Sequence, residues 1–286
     1  MHVQTLDDGL FLPESPRWHD GSLWISDILQ RTVYRYGADG RKNAVAVFDD
    51  DQSGLGWTAS GELLAATMRH RKLVRVDDKG FSEVADLSSI EPVMLNDMAV
   101  AADGTAFITS FGFNPWSGEE LRTVEIIRVR PGGAVDLIGG PICLPNGIAL
   151  SPDERVLFVA ECVAGRIVAI DDPLADVPAT AREFGRIPVS ETSDFGLAAP
   201  DGICLDSEGG VWAADPTGHQ VVRLDREGAV SDVLPWAPDA QPLAVALGGD
   251  ARTTLFITVS GNPDLFAPRI KPRGRIDYTE VTIPGI

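Results

Sequence analysis

Ala199-Pro200-Asp201-Gly202-Ile203-Cys204-Leu205 runs into the acidic turn Asp206-Ser207-Glu208-Gly209-Gly210 and returns as Val211-Trp212-Ala213-Ala214. Two short apolar runs around a turn of Asp, Ser and Gly predict a β-hairpin. The same grammar recurs. Pro145-Asn146-Gly147 leads into Ile148-Ala149-Leu150, the turn Ser151-Pro152-Asp153-Glu154 and the return Val156-Leu157-Phe158-Val159. Leu95-Asn96-Asp97 leads into Met98-Ala99-Val100, then Ala101-Ala102-Asp103-Gly104 and Ala106-Phe107-Ile108. Pro13-Glu14-Ser15-Pro16-Arg17-Trp18 leads to Asp20-Gly21 and Leu23-Trp24-Ile25. Each copy sets one oxygen-bearing side chain (Asp201, Asn146, Asn96 or Glu14) where the chain enters its first strand.

Two weaker copies complete the series. Gly54-Leu55-Gly56-Trp57 returns as Leu63-Leu64-Ala65-Ala66, and Leu243-Ala244-Val245-Ala246 returns as Leu255-Phe256-Ile257-Thr258. About six units at intervals of roughly 40 to 55 residues fall in the range of propeller blades. Long stretches of 3.6-residue apolar period are hard to find, so the class is all-β. The expected architecture is a six-bladed β-propeller, one domain over residues 1–286. The leading segment His2-Val3-Gln4-Thr5-Leu6 is expected to supply the outer strand of the last blade and close the ring.

A propeller fixes where the loops go. With strands A to D counted outward from the axis, the A–B turns lie on one face. The D–A and B–C loops lie on the other. Glu14, Asn96, Asn146 and Asp201 occupy the ends of D–A loops and are expected to converge at one mouth. On that face the B–C loops carry Met68, Arg69, His70, Phe111, Phe113, Asn114, Glu161, Asp215 and His219. His19 lies beside an A–B turn, on the opposite face.

The net charge of −18 argues against nucleic acid, which needs basic surface. No apolar run approaches the roughly 20 residues of a membrane helix. Residues 1–8 lack the pattern of a signal peptide. Cys143, Cys162 and Cys204 are scattered and fit buried thiols in a reducing compartment, so the cytoplasm is the expected location. Nothing in the sequence indicates an oligomeric state.

Asn and Asp commonly cap turns at strand entrances. Four at one mouth imply more. Two carboxylates and two amide oxygens make a hard cage for one divalent cation, calcium first, with magnesium, manganese or zinc as alternatives. No Gly-x-Ser-x-Gly elbow and no phosphate-binding loop point to other chemistry.

The sequence also resembles a known family. Glu14-Ser15-Pro16-Arg17-Trp18, Asn96-Asp97, Pro145-Asn146-Gly147 with Ser151-Pro152-Asp153, Pro200-Asp201-Gly202, Gly248-Gly249-Asp250 and Leu255-Phe256-Ile257-Thr258 are similar to motifs of the senescence marker protein, gluconolactonase and lactonase family. The resemblance covers nearly the whole chain in order. It implies a six-bladed propeller, a metal held by Glu14, Asn146 and Asp201, and Asn96 near the metal-site water or substrate. It implies hydrolysis of lactones or related esters by metal-activated water. Asp201 is then the expected base, with Glu161 and Asp215 as alternatives, and Asn96 the donor to the oxyanion.

Many sugar-lactone members of that family carry arginine where this chain has Met94. With Trp57, Met68, Phe111, Phe113 and Trp116, Met94 suggests a lactone less hydroxylated than gluconolactone. Arg69, His70, Asn114, Glu161 and His219 complete the expected substrate pocket. The stretches Phe113–Val124 and Pro188–Ala199 are long enough to serve as lids. The rival readings are an esterase or organophosphate hydrolase on the same scaffold, and a binding propeller with a structural ion.

Overall fold

The computed structural model describes residues 2–77, 80–90, 94–114, 118–262 and 271–286. Among these residues twenty-four strands form six four-stranded antiparallel sheets. Strand β1 is Gln4–Leu10. Blade 1 holds β2 (Pro13–His19), β3 (Ser22–Asp27), β4 (Thr32–Tyr36) and β5 (Lys42–Val47). Blade 2 holds β6 (Gln52–Trp57), β7 (Leu63–Thr67), β8 (Lys72–Asp77) and β9 (Gly80–Asp86). Blade 3 holds β10 (Met94–Val100), β11 (Ala106–Phe111), β12 (Thr123–Val129) and β13 (Val135–Cys143). Blade 4 holds β14 (Pro145–Leu150), β15 (Val156–Glu161), β16 (Arg166–Asp171) and β17 (Arg182–Arg186). Blade 5 holds β18 (Ile203–Leu205), β19 (Val211–Asp215), β20 (Gln220–Leu224) and β21 (Val230–Pro235). Blade 6 holds β22 (Gln241–Gly248), β23 (Thr254–Ser260) and β24 (Gly274–Glu280), and β1 pairs with β24 as its outer strand. The closure expected of the leading segment is thus present.

The core is divided rather than single. Six apolar clusters lie among the described residues, one at each interface between neighbouring blades. Between blades 4 and 5, for example, Phe158, Ile167 and Ala169 meet Ile203, Val211 and Val222. A middle strand is covered on both faces by its neighbours, so β7, β19 and β20 are buried throughout. Outer strands β5 and β21 are largely exposed. This explains the continuous apolar runs of the second strands and the polar character of the fourth. Among the described residues no helix is long and apolar enough to cross a membrane.

Candidate active site

The strand register shows which residues share a position on the ring. Pro13 faces Asp27, Gln52 faces Thr67, Met94 faces Phe111, Pro145 faces Glu161 and Gln241 faces Ser260. Glu14 and Asn146 therefore follow equivalent prolines, as Asp201 follows Pro200. Asn96 does not share that position. It lies one residue further on, inside the register shift between Leu95 and Met98. Two glycines let the inner strands approach each other here. A Cβ on Gly147 would lie 2.4 Å from the Asp201 carbonyl oxygen, and one on Gly202 would lie 2.2 Å from Ala244 Cβ. Gly147 N–H donates to that same Asp201 carbonyl at 3.1 Å, and Asp201 N–H donates to Ala214 O at 2.8 Å.

The four side chains are drawn together pairwise. Asn96 Nδ2 donates to Asn146 Oδ1 at 2.6 Å. Burial pushes the Asp201 carboxyl well above the usual carboxylate range, and the charges of Glu14, Asp97 and Asp215 push it further. Glu14 retains some exposure as a residue, yet desolvation raises its carboxyl to about 8. The Ser15 N–H, 3.0 Å from Glu14 Oε2, and the Arg17 charge oppose that rise, while the Asp97 charge adds to it. Two acids buried side by side bind protons tightly.

That donor set fits a hard divalent cation. Among the described residues the Asp201 carboxylate has no hydrogen-bond or ion-pair partner, and it is only 8% exposed. Among the same residues no group of three or more His, Cys, Asp and Glu side chains is arranged to hold a metal ion without amide ligands. A cation here would rest on two carboxylates and amide oxygens, with no soft ligand.

Beneath these groups lies an ion pair that sequence reasoning missed. Arg17 Nη2 donates to Asp97 Oδ1 at 2.5 Å and to Met98 O at 2.9 Å. Asp97 also accepts from Ser15 Oγ at 3.2 Å, Met98 N–H at 2.9 Å and Ile148 N–H at 3.3 Å. It thereby ties blades 1, 3 and 4 beside Glu14, Asn96 and Asn146. The adjacent Asn96 was a signal for Asp97, but Arg17 lies 80 residues away in sequence.

The expected pocket residues divide. Met94 is buried opposite Phe111, whose ring lies 6.4 Å from that of Phe113. The Met68 carbonyl accepts Leu95 N–H at 3.1 Å, which brings Met68 beside this group. Asn114 N–H donates to Glu119 Oε2 at 3.0 Å. Arg69 pairs with Asp51 at 2.7 Å, and the Arg69 and His70 amides donate to Asp50. Trp116 lies outside the described residues, as do Pro115 and Ser117 of the expected Phe113–Val124 lid. The Pro188–Ala199 stretch is fastened by Asp194 N–H to Thr217 O and by Ala199 N–H to Asp215.

Three expectations are corrected. Glu161 does not stand free in the mouth: Arg166 Nε lies 2.6 Å from its Oε2, and Cys143 N–H donates to its Oε1. His219, expected to line the substrate pocket, is only 2% exposed. Its Nδ1 is 3.1 Å from Ala240 O, and its Nε2 is 3.2 Å from Asp194 Oδ2 without hydrogen-bond alignment. Trp57 ends β6 beside an A–B turn, so it sits at the opposite mouth. There its ring stacks on His19 at 3.9 Å. Both line an axial cavity of about 380 Å³ whose wall also includes Arg17, Val100, Leu205 and Arg252.

Residues 12–261 match the family described as the SMP-30/Gluconolactonase/LRE-like region. A gluconolactonase of Zymomonas mobilis is 30% identical over 177 residues, covering 58% of this chain and 48% of that protein. The chain thus spans about half the length of that relative. The pentonolactonase XacC of Haloferax volcanii is 26% identical over 265 residues, covering 91% of this chain and 85% of that protein. A solved structure titled as a calcium-binding regucalcin from Agrobacterium tumefaciens superposes with a TM-score of 0.80 at 22% identity. It covers 100% of this chain and 95% of that one, and at this identity it speaks for the fold alone.

Proposed function

The chain belongs to the SMP-30/Gluconolactonase/LRE-like family, and on that basis we propose that it hydrolyses a lactone at the mouth where Glu14, Asn96, Asn146 and Asp201 meet. The observation that carries this reading is the Asp201 carboxylate. It is buried, raised in pKa by that burial and then by its acidic neighbours, and without a protein partner among the described residues. Glu14, Asn146 and Asp201 would hold one divalent cation, calcium first. When bound, the cation supplies Lewis acidity toward the ester carbonyl and acidifies water.

The remaining chemistry belongs to the chain. Asp201 accepts the proton of the attacking water as the water oxygen bonds to the acyl carbon. Glu161 and Asp215 are poorer bases, because their oxygens already accept hydrogen bonds. Asn96 Nδ2 donates to the oxyanion that develops on the former carbonyl oxygen. The ring C–O bond then breaks, the departing alkoxide takes the proton, and a hydroxy acid leaves. Met68, Met94, Phe111 and Phe113 form the apolar side of the mouth and favour a lactone with few hydroxyls. The reading also places the chain in a reducing compartment such as the cytoplasm.

A panel of sugar and alkyl lactones, assayed after chelation and after adding back calcium, magnesium, manganese or zinc, tests this. Chelation is expected to abolish turnover and one of these ions to restore it, with alkyl lactones favoured. A chelated protein that melts earlier yet shows no lactone turnover with any ion would support a structural ion instead. Turnover of glucono-1,5-lactone with none of alkyl lactones would overturn the substrate preference.

A further inference from the structure

We propose that Asp27, Glu161 and Asp215 are positioning residues that fix where Glu14, Asn146 and Asp201 point; the inference rests on reading those three as cation ligands. The three acids end the second strand of blades 1, 4 and 5. They are 0%, 5% and 0% exposed. Each reaches back to the backbone just ahead of the first strand of its own blade. Asp27 accepts Phe11 N–H at 2.9 Å and Leu12 N–H at 3.0 Å, three and two residues before Glu14. Glu161 accepts Cys143 N–H at 2.9 Å, three residues before Asn146. Asp215 accepts Ala199 N–H at 3.0 Å, two residues before Asp201.

Between each clamped amide and its ligand stands a proline: Pro13, Pro145 or Pro200. Proline fixes φ near −65° and contributes no N–H. Few free torsions therefore separate the clamp from the ligand's Cα. The clamps themselves are charge-assisted bonds, stronger than neutral ones. In blade 4 the link is held in a costly shape. Leu144 has φ 54°, and its carbonyl accepts Cys162 N–H at 3.2 Å.

The other blades lack the device. The equivalent residue is Thr67 in blade 2, Phe111 in blade 3 and Ser260 in blade 6. Thr67 Oγ1 bonds the backbone of Lys72, and Ser260 Oγ accepts Asn262 N–H, so neither hydroxyl reaches a D–A loop. In blade 2 the direction is reversed: Asp50, in the D–A loop, accepts the Arg69 and His70 amides. The acid at this position thus accompanies the Pro-ligand pair and is absent where the pair is absent.

The test titrates calcium and manganese, each alone, into metal-free protein by calorimetry, alongside urea unfolding of the same samples. Variants are Glu161→Gln and Asp27→Asn, with Thr67→Val and Ser260→Ala as controls at the same strand position. Asp215→Asn is omitted, because four donors converge on that carboxylate and misfolding is the expected result. The two acid variants are expected to weaken cation Kd by about 10- to 100-fold, and the controls to leave it within about twofold, whatever their loss of stability. Wild-type affinity in both folded acid variants, or equal weakening in the controls, overturns the positioning role. An Asp201→Asn arm separates the two levels. If it abolishes binding while the acid variants retain it, only the positioning role fails. If the wild type binds neither ion, or Asp201→Asn binds as well as wild type, the ligand reading fails and takes the positioning role with it.

Discussion

The two ends of the axial channel are built from the same six inner strands and are chemically unlike. At one end the strands begin, with Glu14 and Asn146 second in theirs and Asp201 just before β18. At the other they finish against tight turns, and Trp18, His19, Trp57, Leu150 and Leu247 make the wall. The Arg17–Asp97 pair stands between them. Arg17 lines the apolar cavity, while the Asp97 charge acts on Glu14 and Asp201. The contrast teaches that open space and buried acid have separated along the axis. The cavity of about 380 Å³ lies at the aromatic end, whereas the unpartnered acid lies at the other.

The sharpest way to break this comparison is to damage each end in turn. Asp201→Asn is expected to lower lactone kcat by about three orders of magnitude, by removing the base. Trp57→Leu, at the far mouth, is expected to leave kcat unchanged. Loss of turnover in Trp57→Leu with normal folding would move the chemistry to the aromatic cavity.

The floor between the ends comes next. Arg17→Met leaves Asp97 buried beside two further acids with no cation, and is expected to cost about 3 kcal/mol in urea unfolding. Its Asp97→Asn partner should recover part of that loss, since the uncompensated charge is then gone. No recovery would mean that Arg17 acts through its bonds to the Pro16 and Met98 carbonyls instead.

A further expected effect is a pH slope. Glu14 and Asp201 have folded-state pKa values above their unfolded ones. In metal-free protein their favourable contribution is complete below the unfolded values and is lost as pH rises. Stability should therefore fall as pH rises from about 4.5 through 8. A saturating divalent cation should flatten that slope. A metal-free slope of the opposite sign would show that the two acids are not held together.

The architecture was readable because each blade repeats its own turn chemistry. Asp206-Ser207-Glu208-Gly209-Gly210 and Ser151-Pro152-Asp153-Glu154 mark A–B turns wherever they occur. Glu14, Asn146 and Asp201 were readable from their shared position after proline. Asn96 was placed on the same footing although it stands one residue later, at the register position of Ser15 and Gly147, because hairpin spacing alone does not fix register to a single residue. Trp57 was misplaced because its strand was recognised but not the end of that strand it occupied. The Glu161–Arg166 pair spans a single hairpin and was open to register reasoning. Arg17–Asp97 and the burial of His219 under Asp194 depend on contacts between distant segments, which no local pattern encodes.

The β1–β24 pairing has a kinetic side. Thr5 Oγ1 donates to Asp277 Oδ1 across a separation of 272 residues. Bringing such remote segments together in an otherwise open polymer costs about 5 kcal/mol of loop entropy, more than one hydrogen bond returns. The cost shrinks as the intervening sheets stack and shorten the effective gap. Sealing is thus favoured late in assembly, and until then the outer edge of β24 remains an unpaired template for a neighbouring molecule.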